Sequence, residues 1–360
     1  MQHARRESQA HRASLPYNEG MDRVADHDRR VSAVPGGVPG AAHLPARQRR
    51  HRAPVELATL LLVVLVYGGW LLSTAAYGHW PLWAVVSSVV LLLTLHSSLQ
   101  HEIIHGHPTR SSQLNRLMGI VPLSFWLPFD RYRLHHLAHH NDERLTDPLD
   151  DSESYYWTPE SWGKFAPLSR AWLGLQQTLA GRVLLGSFWR ICIFWTSEAR
   201  ALREGPVARR AWIEHLVWCV PVILWLELVC GMPLWLYVVA MILPSNGVLL
   251  IRSFAEHRAR PEPLQRTAIV EGSWLLGPLF LFNNLHALHH EAPAMPWYQY
   301  NKRYRAERDR LIVQNGGLVY SSYFDVARRF LFRSHDVLAH PTGRAPRRRT
   351  TQVQGSLPTI

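Results

Sequence analysis

Two pairs of long apolar runs constrain this chain more than any other feature. The first pair covers Val55 to about Tyr77, with Glu56 as its one acidic residue, and about Trp80 to Leu99, with the short turn His79-Trp80-Pro81 between them. The second covers about Trp212 to Gly231 and Pro233 to Ile251, joined by Gly231-Met232-Pro233. A helix of roughly 20 apolar residues matches the hydrocarbon thickness of a bilayer, and in lipid a helix satisfies its own backbone hydrogen bonds. The expected fold is all-α: an integral membrane protein with four transmembrane helices in two hairpins. Buried core helices of a soluble protein are the competing reading, and tight proline-bearing turns between paired blocks argue against it. Leu117 to Phe129 and Trp274 to Leu285 are too short to span, and Leu173 to Trp195 is interrupted by Arg182 and Arg190. Leu117 to Phe129 and Leu173 to Trp195 read as interfacial or re-entrant.

A mean hydropathy of −0.11 hides these blocks, because it averages them with arginine-rich segments. The net charge of +12 is concentrated beside the apolar runs. Residues 1–53 carry ten Arg without periodicity and read as a disordered basic extension, and 341–360 as a disordered basic tail. Between them we expect a membrane domain over 54–310 and a cytoplasmic helical segment over 311–340. Four spans leave both termini and the central loop on one face, and the excess of arginine there makes it cytoplasmic, at a bacterial inner membrane. No signal peptide is expected, since the first apolar block starts too late. The basic segments do not interleave aromatic residues, which argues against nucleic acid as a partner. Trp70, Trp80, Trp83, Trp212 and Trp235 stand at or near block edges, as in an interfacial aromatic belt. Cys192, Cys219 and Cys230 form no CxxC pair, so disulfides and cysteine-bound clusters are not expected.

Histidine is concentrated in three places. His101-Glu102-Ile103-Ile104-His105 follows the second apolar block, with His107 just beyond. His136-Leu137-Ala138-His139-His140, preceded by His135, lies between the hairpins, and His286-Ala287-Leu288-His289-His290 follows the last apolar run. Spacings of three and four residues share a helix face, so each cluster can aim two or three imidazoles at one point. Imidazole suits iron, zinc, copper or nickel, which leaves the ion open by ligand type. Number says more. Tetrahedral zinc takes four donors, whereas the eight histidines His101, His105, His136, His139, His140, His286, His289 and His290 suggest two ions. Iron is the usual choice for oxygen chemistry, because it cycles between oxidation states as zinc does not. His107 and His135 fall outside the shared spacing and read as supporting or surface residues. The first cluster also spells HExxH, the zinc-peptidase signature with Glu102 as general base. That alternative leaves both HxxHH clusters without a role. A metal transporter or sensor would place histidine within the spans rather than at their ends.

On these residues the chain resembles the membrane fatty acid desaturases, which carry HxxxH, HxxHH and HxxHH boxes in this order on a four-span scaffold. The resemblance covers roughly residues 55 to 310, and the runs 141–148 and 252–258 are similar to a bacterial branch of the group. It implies a histidine-rich diiron cap on the cytoplasmic face, with the eight boxed histidines as iron ligands and His257 as a ninth. It also implies dioxygen as cosubstrate and desaturation of an acyl chain. Relatives include hydrocarbon and carotenoid hydroxylases, so a hydroxylase or monooxygenase on the same scaffold is the alternative. Glu102, Asp142, Asp147, Glu256 and Glu291 can hydrogen-bond the far ring nitrogens, Asp147 and Glu256 foremost by proximity, or remain solvated loop acids. Asn283 and Asn284 can orient a ligand or cap backbone. An acyl chain would run in a tunnel lined by the spans, with Trp and Phe of 125–129 and 274–282 as candidate walls. With no Gly-rich dinucleotide fingerprint and no cysteine cluster in the chain, electrons would come from an external donor such as ferredoxin or rubredoxin with its reductase. The basic face would dock an acidic donor or anionic lipid headgroups.

Overall fold

The computed structural model describes residues 55–140 and 144–341. The N-terminal arm 1–53, the tail beyond 341 and the candidate Asp142 lie outside the described residues. The first hairpin is α1 (Leu57–Ala75) and α2 (Leu82–Ile104). There follow α3 (Ser112–Gly119), α4 (Phe129–His139), α5 (Pro159–Lys164), α6 (Pro167–Leu175) and α7 (Leu179–Glu204). The second hairpin is α8 (Pro206–Val229) and α9 (Leu234–Glu256). The chain then runs through β1 (Ile269–Val270), α10 (Leu276–Leu279), α11 (His286–Glu291), α12 (Tyr300–Gln314), β2 (Val319–Tyr320) and α13 (Tyr323–Phe330). The two short strands pair in parallel, Ile269 with Val319 and Val270 with Tyr320.

The helices α1, α2, α8 and α9 are each long and apolar enough to cross a membrane. They turn apolar side chains outward: Leu72 is 75% exposed, Trp83 74% and Leu228 76%, a surface suited to lipid rather than water. Inside, Trp70, Val89, Leu93, Tyr237 and Met241 form the core that joins the hairpins. Trp70 Nε1 donates to Tyr237 Oη at 2.8 Å, and that hydroxyl donates to the Leu123 carbonyl at 2.8 Å. Trp70 therefore does not belong to an interfacial belt: its indole has a buried partner, so it packs inside. Trp80, Trp83 and Trp235 are exposed at the hairpin turns, while Trp212 donates to Glu198 at 2.8 Å. In the fourth span a π-turn over Val238–Ile242 falls just before Pro244, where the proline has no N–H to continue an α-helical ladder.

Between the hairpins the apolar stretch from Leu173 to Trp195 divides at Thr178, whose hydroxyl accepts from Gly181 N and starts α7. The resulting helix is 26 residues long and lies along α9. A side chain at Gly247 would bring a Cβ within 2.9 Å of the Val183 carbonyl, so only glycine permits this approach. Residues 311–340 pack on the same end of the molecule: Tyr320, Tyr323 and Val326 share a buried cluster with Phe254 of α9 and Val270 of β1.

Candidate metal centre

Helix ends build the site. His101 is in the last turn of α2 and His105 caps it; His136 and His139 are in the last turn of α4 and His140 caps it; His257 caps α9. Helix C-termini carry partial negative charge, and three of them here present histidine toward one place, which favours a cation. The third box lies on the short helix α11. Leu281 and Phe282 before it adopt left-handed conformations, φ 49° and 59°, each at a cost of about 1–3 kcal/mol. That turn is held by Phe282 N on the Gly277 carbonyl at 2.7 Å and by stacking of Phe282 on Trp297. Val270 N on the Asn284 carbonyl at 2.9 Å and Ala287 N on the Ala268 carbonyl at 3.1 Å strap the box to β1.

Two groups of histidine result. Ligand atoms of His101, His105, His136, His140 and His289 lie within 4.8 Å of one another, as do those of His139, His257, His286 and His290. Each HxxHH cluster aims two of its imidazoles at one group and sends the third to the other. In both, the i and i+4 residues join one group and the i+3 residue crosses to the other, because four residues overshoot a helical turn by about 40° and three fall short of it by about 60°, on the opposite side. The groups adjoin, with the His140 and His290 rings stacked at 4.4 Å between centroids.

The far ring nitrogens define what this arrangement can hold. His139 Nδ1 meets Asp151 Oδ1 at 2.9 Å, His136 Nδ1 meets Glu153 Oε1 at 3.2 Å, and His257 Nδ1 meets the Arg266 carbonyl at 3.3 Å. His286 Nδ1 meets Asn283 Oδ1 at 3.1 Å and Glu256 Oε1 at 3.2 Å. The Asn283 amide is oriented by donating its Nδ2 to Glu256 at 3.3 Å. Facing acceptors, these four rings carry their protons on Nδ1, which leaves lone pairs on Nε2. Yet the Nε2 atoms of His257 and His286 approach to 2.9 Å, and those of His139 and His257 to 3.0 Å. In the other group, His105 and His136 stand at 3.0 Å, His136 and His140 at 3.1 Å, and His140 and His289 at 3.0 Å. Converging lone pairs repel unless a cation lies among them, so the donor set fits a metal in each group.

Burial, reinforced by neighbouring imidazoles, holds His140, His286, His289 and His290 well below the usual histidine range, in the neutral form that binds metals. Burial and the adjacent His139 push His257 down to about 3. For His139 burial acts the same way, but the carboxylates of Asp151 and Glu153 outweigh it and raise the ring to about 9. One proton there relieves one of the close contacts and leaves the rest.

Other candidates are engaged elsewhere. Asp147 accepts from the Leu149 and Asp150 amides at 2.7 and 2.9 Å and turns the loop. Asn284 donates to the Val270 carbonyl at 2.7 Å, and Glu291 pairs with Arg310 at 2.9 Å. Glu102 accepts from Trp297 N at 2.9 Å and lies 3.7 Å from His107, whose other nitrogen is 2.7 Å from Glu56. His135 lies beside the buried Arg131–Glu198 pair, 3.5 Å from the carboxylate. Asp151, Glu153 and Tyr300, whose hydroxyl is 3.0 Å from His289 Nδ1, were not expected at the site. The acidic run from Asp147 to Glu153 in a basic chain was the one sequence signal for the two acids, and Tyr300 had none.

A cavity of about 690 Å³ opens beside Asp151 and Glu153. Its apolar walls include Trp126, Trp157, Phe165, Trp189 and Phe194, and thus come from α5 to α7 and nearby loops rather than from the spans. The spans use their inner faces to pack on one another. Phe129 lies in a separate buried cluster, and Phe280 and Phe282 lie in two more.

Fold and site define a helical membrane protein with two adjoining histidine groups, each able to hold a metal ion. The chain matches the family model described as Fatty acid desaturase over residues 78–324, and it belongs to that family. No curated protein matches it significantly. With Glu102 occupied by the Trp297 amide and both HxxHH clusters used, the peptidase reading of HExxH loses its basis.

Proposed function

We propose that this protein is a membrane-bound non-heme diiron oxidoreductase that uses dioxygen and two externally supplied electrons to desaturate a fatty acyl chain. The observation that carries it is the convergence of nine histidines from three boxes and the end of the fourth span into two groups. In this reading His101, His105, His136, His140 and His289 hold one iron, and His139, His257, His286 and His290 the other. Five imidazoles in one group and four in the other, with Nε2 atoms converging to about 3.0 Å, would supply donors for one ion each. When bound, the iron pair supplies the capacity to activate dioxygen and to break unactivated C–H bonds.

The protein's own groups do the rest. Asp151, Glu153, Asn283 and Glu256 keep the ring protons on Nδ1 and fix each imidazole's direction. Burial keeps water from the site. The aromatic cavity beside Asp151 receives the chain, and how firmly it holds adjacent carbons decides between removing two hydrogens and inserting a hydroxyl. Electrons come from a ferredoxin- or rubredoxin-type donor. The hairpin turns carry no Lys or Arg, whereas the loops at the histidine end carry many, which supports a cytoplasmic site in a bacterial inner membrane.

The test is product analysis by mass spectrometry with the full chain in nanodiscs, ferrous iron, a ferredoxin with its reductase, and mixed acyl substrates. A product lacking two hydrogens is expected. A hydroxylated product alone would select the hydroxylase alternative, and no oxygen-dependent product from the two-iron protein would overturn the reading.

A further inference from the structure

The long helix α7 is inverted relative to a water-soluble helix. It turns Leu184, 78% exposed, and Phe188, 66% exposed, outward, and holds Arg182, 3% exposed, within the fold. Charge buried against an apolar exterior is costly and marks function when no structural partner accounts for it. The guanidinium of Arg182 lies 3.8 Å from the centroid of the Tyr155 ring and that of Arg190 4.5 Å from it, and both arginines line the large cavity. Neither has a carboxylate at ion-pair distance among the described residues. Glu153, the acid whose charge Arg190 feels, is already engaged by His136 at 3.2 Å.

The same cavity wall holds further donors without acceptors. Arg182 Nε donates to the Gln176 carbonyl at 2.7 Å, but Arg182 Nη1, Gln176 Nε2 and Trp172 Nε1 are buried with no hydrogen-bond partner among the described residues. Gln176 and Trp172 line the cavity with the arginines. A void of about 20 Å³ that reaches His139 and His257 shares Glu153, Tyr155 and Arg182 with it. The other charged groups of the lining are engaged, Asp151 by His139, Glu153 by His136, Arg252 by Glu256 and Lys164 by Glu160, so Arg182 Nη1, the Arg190 guanidinium, Gln176 Nε2 and Trp172 Nε1, set among aromatic walls, are complementary to an anionic oxygen group on an apolar tail.

Building on the proposed function, we infer that the substrate is an anionic amphiphile whose carboxylate or phosphate is received inside the cavity by Arg182 and Arg190. A neutral ester or an alcohol of the same length leaves these donors unpaired and binds less well.

Binding of dodecanoate, dodecyl phosphate and 1-dodecanol to the full chain in phosphatidylcholine nanodiscs, measured by calorimetry against empty nanodiscs, tests this without turnover. At least one anion is expected to bind tenfold or more tightly than the alcohol, and the stronger anion identifies the headgroup class. Arg182→Gln should reduce that preference below threefold, and Arg182→Lys should retain part of it. Equal binding of alcohol and both anions, or an unchanged preference in a folded Arg182→Gln protein, would overturn the inference. Should Arg182→Gln lose its melting transition, Arg190→Gln takes its place, and an unchanged preference there overturns it equally. Because binding is read without electrons or oxygen, a chain that takes up no iron on anaerobic loading with ferrous ions yet still selects the anion would sink the diiron reading and leave this one standing.

Discussion

A histidine at a metal site does its work only if its other nitrogen is held, and here that requirement separates two neighbouring acids. Asp151 meets His139 Nδ1 at 2.9 Å, whereas Asp147 serves only the loop backbone. Asp151→Asn keeps the shape and removes the charge, and should weaken ferrous binding at the second group about 10–100-fold. Asp147→Asn should stay within about threefold, the same calorimetric titration serving both. His257→Ala removes one of four donors from that group and should lower bound iron from two per chain toward one, read by elemental analysis. At this scale the sequence was partly legible. The eight boxed histidines stand out by spacing, and His257 by family resemblance. The supporting acids do not, because Asp147 and Asp151 look alike until the loop's turns decide which carboxylate faces the rings.

Among the elements, the pairing that most directly fixes box two is ionic and buried. Arg131 of α4 reaches Glu198 of α7 through Nε at 2.7 Å and Nη2 at 2.8 Å, with both side chains 1% exposed. Glu198 also accepts from Trp212 of α8 at 2.8 Å, so one carboxylate ties three helices. Glu198→Ala leaves a buried guanidinium unpaired and should cost about 3–5 kcal/mol, seen as a lower melting temperature in detergent. Replacing the pair together by Met and Leu should recover part of that loss, since no lone charge then remains. The spans were readable from hydropathy, because a lipid-facing helix needs only length and apolarity. The long helix α7 was not, because its outward apolar face and inward arginines make an average that resembles an interrupted interfacial segment. The cavity it forms could not be read from the chain for the same reason.

For the whole molecule, the C-terminal segment closes over the histidine end, and His335 is one of its anchors. Its ring lies 2.9 Å from Tyr320 Oη and 4.9 Å between centroids from Phe254 of α9. Burial lowers its folded-state value to about 4, below the unfolded value of about 6.5. Its contribution is therefore complete above about pH 6.5 and drains as pH falls toward 4, because the unfolded chain takes up the proton first. The difference in stability between the native chain and His335→Gln should accordingly shrink over that window, by up to about 3 kcal/mol, in melts taken at each pH. Both hairpins, α7 and this segment serve to bring four separated stretches of histidine to one place, and what those histidines hold decides the chemistry. The most direct measurement is metal content per chain, by mass spectrometry of the protein purified anaerobically from cells supplied with both iron and zinc. Two iron per chain are expected, and a single zinc with no iron would contradict a diiron centre.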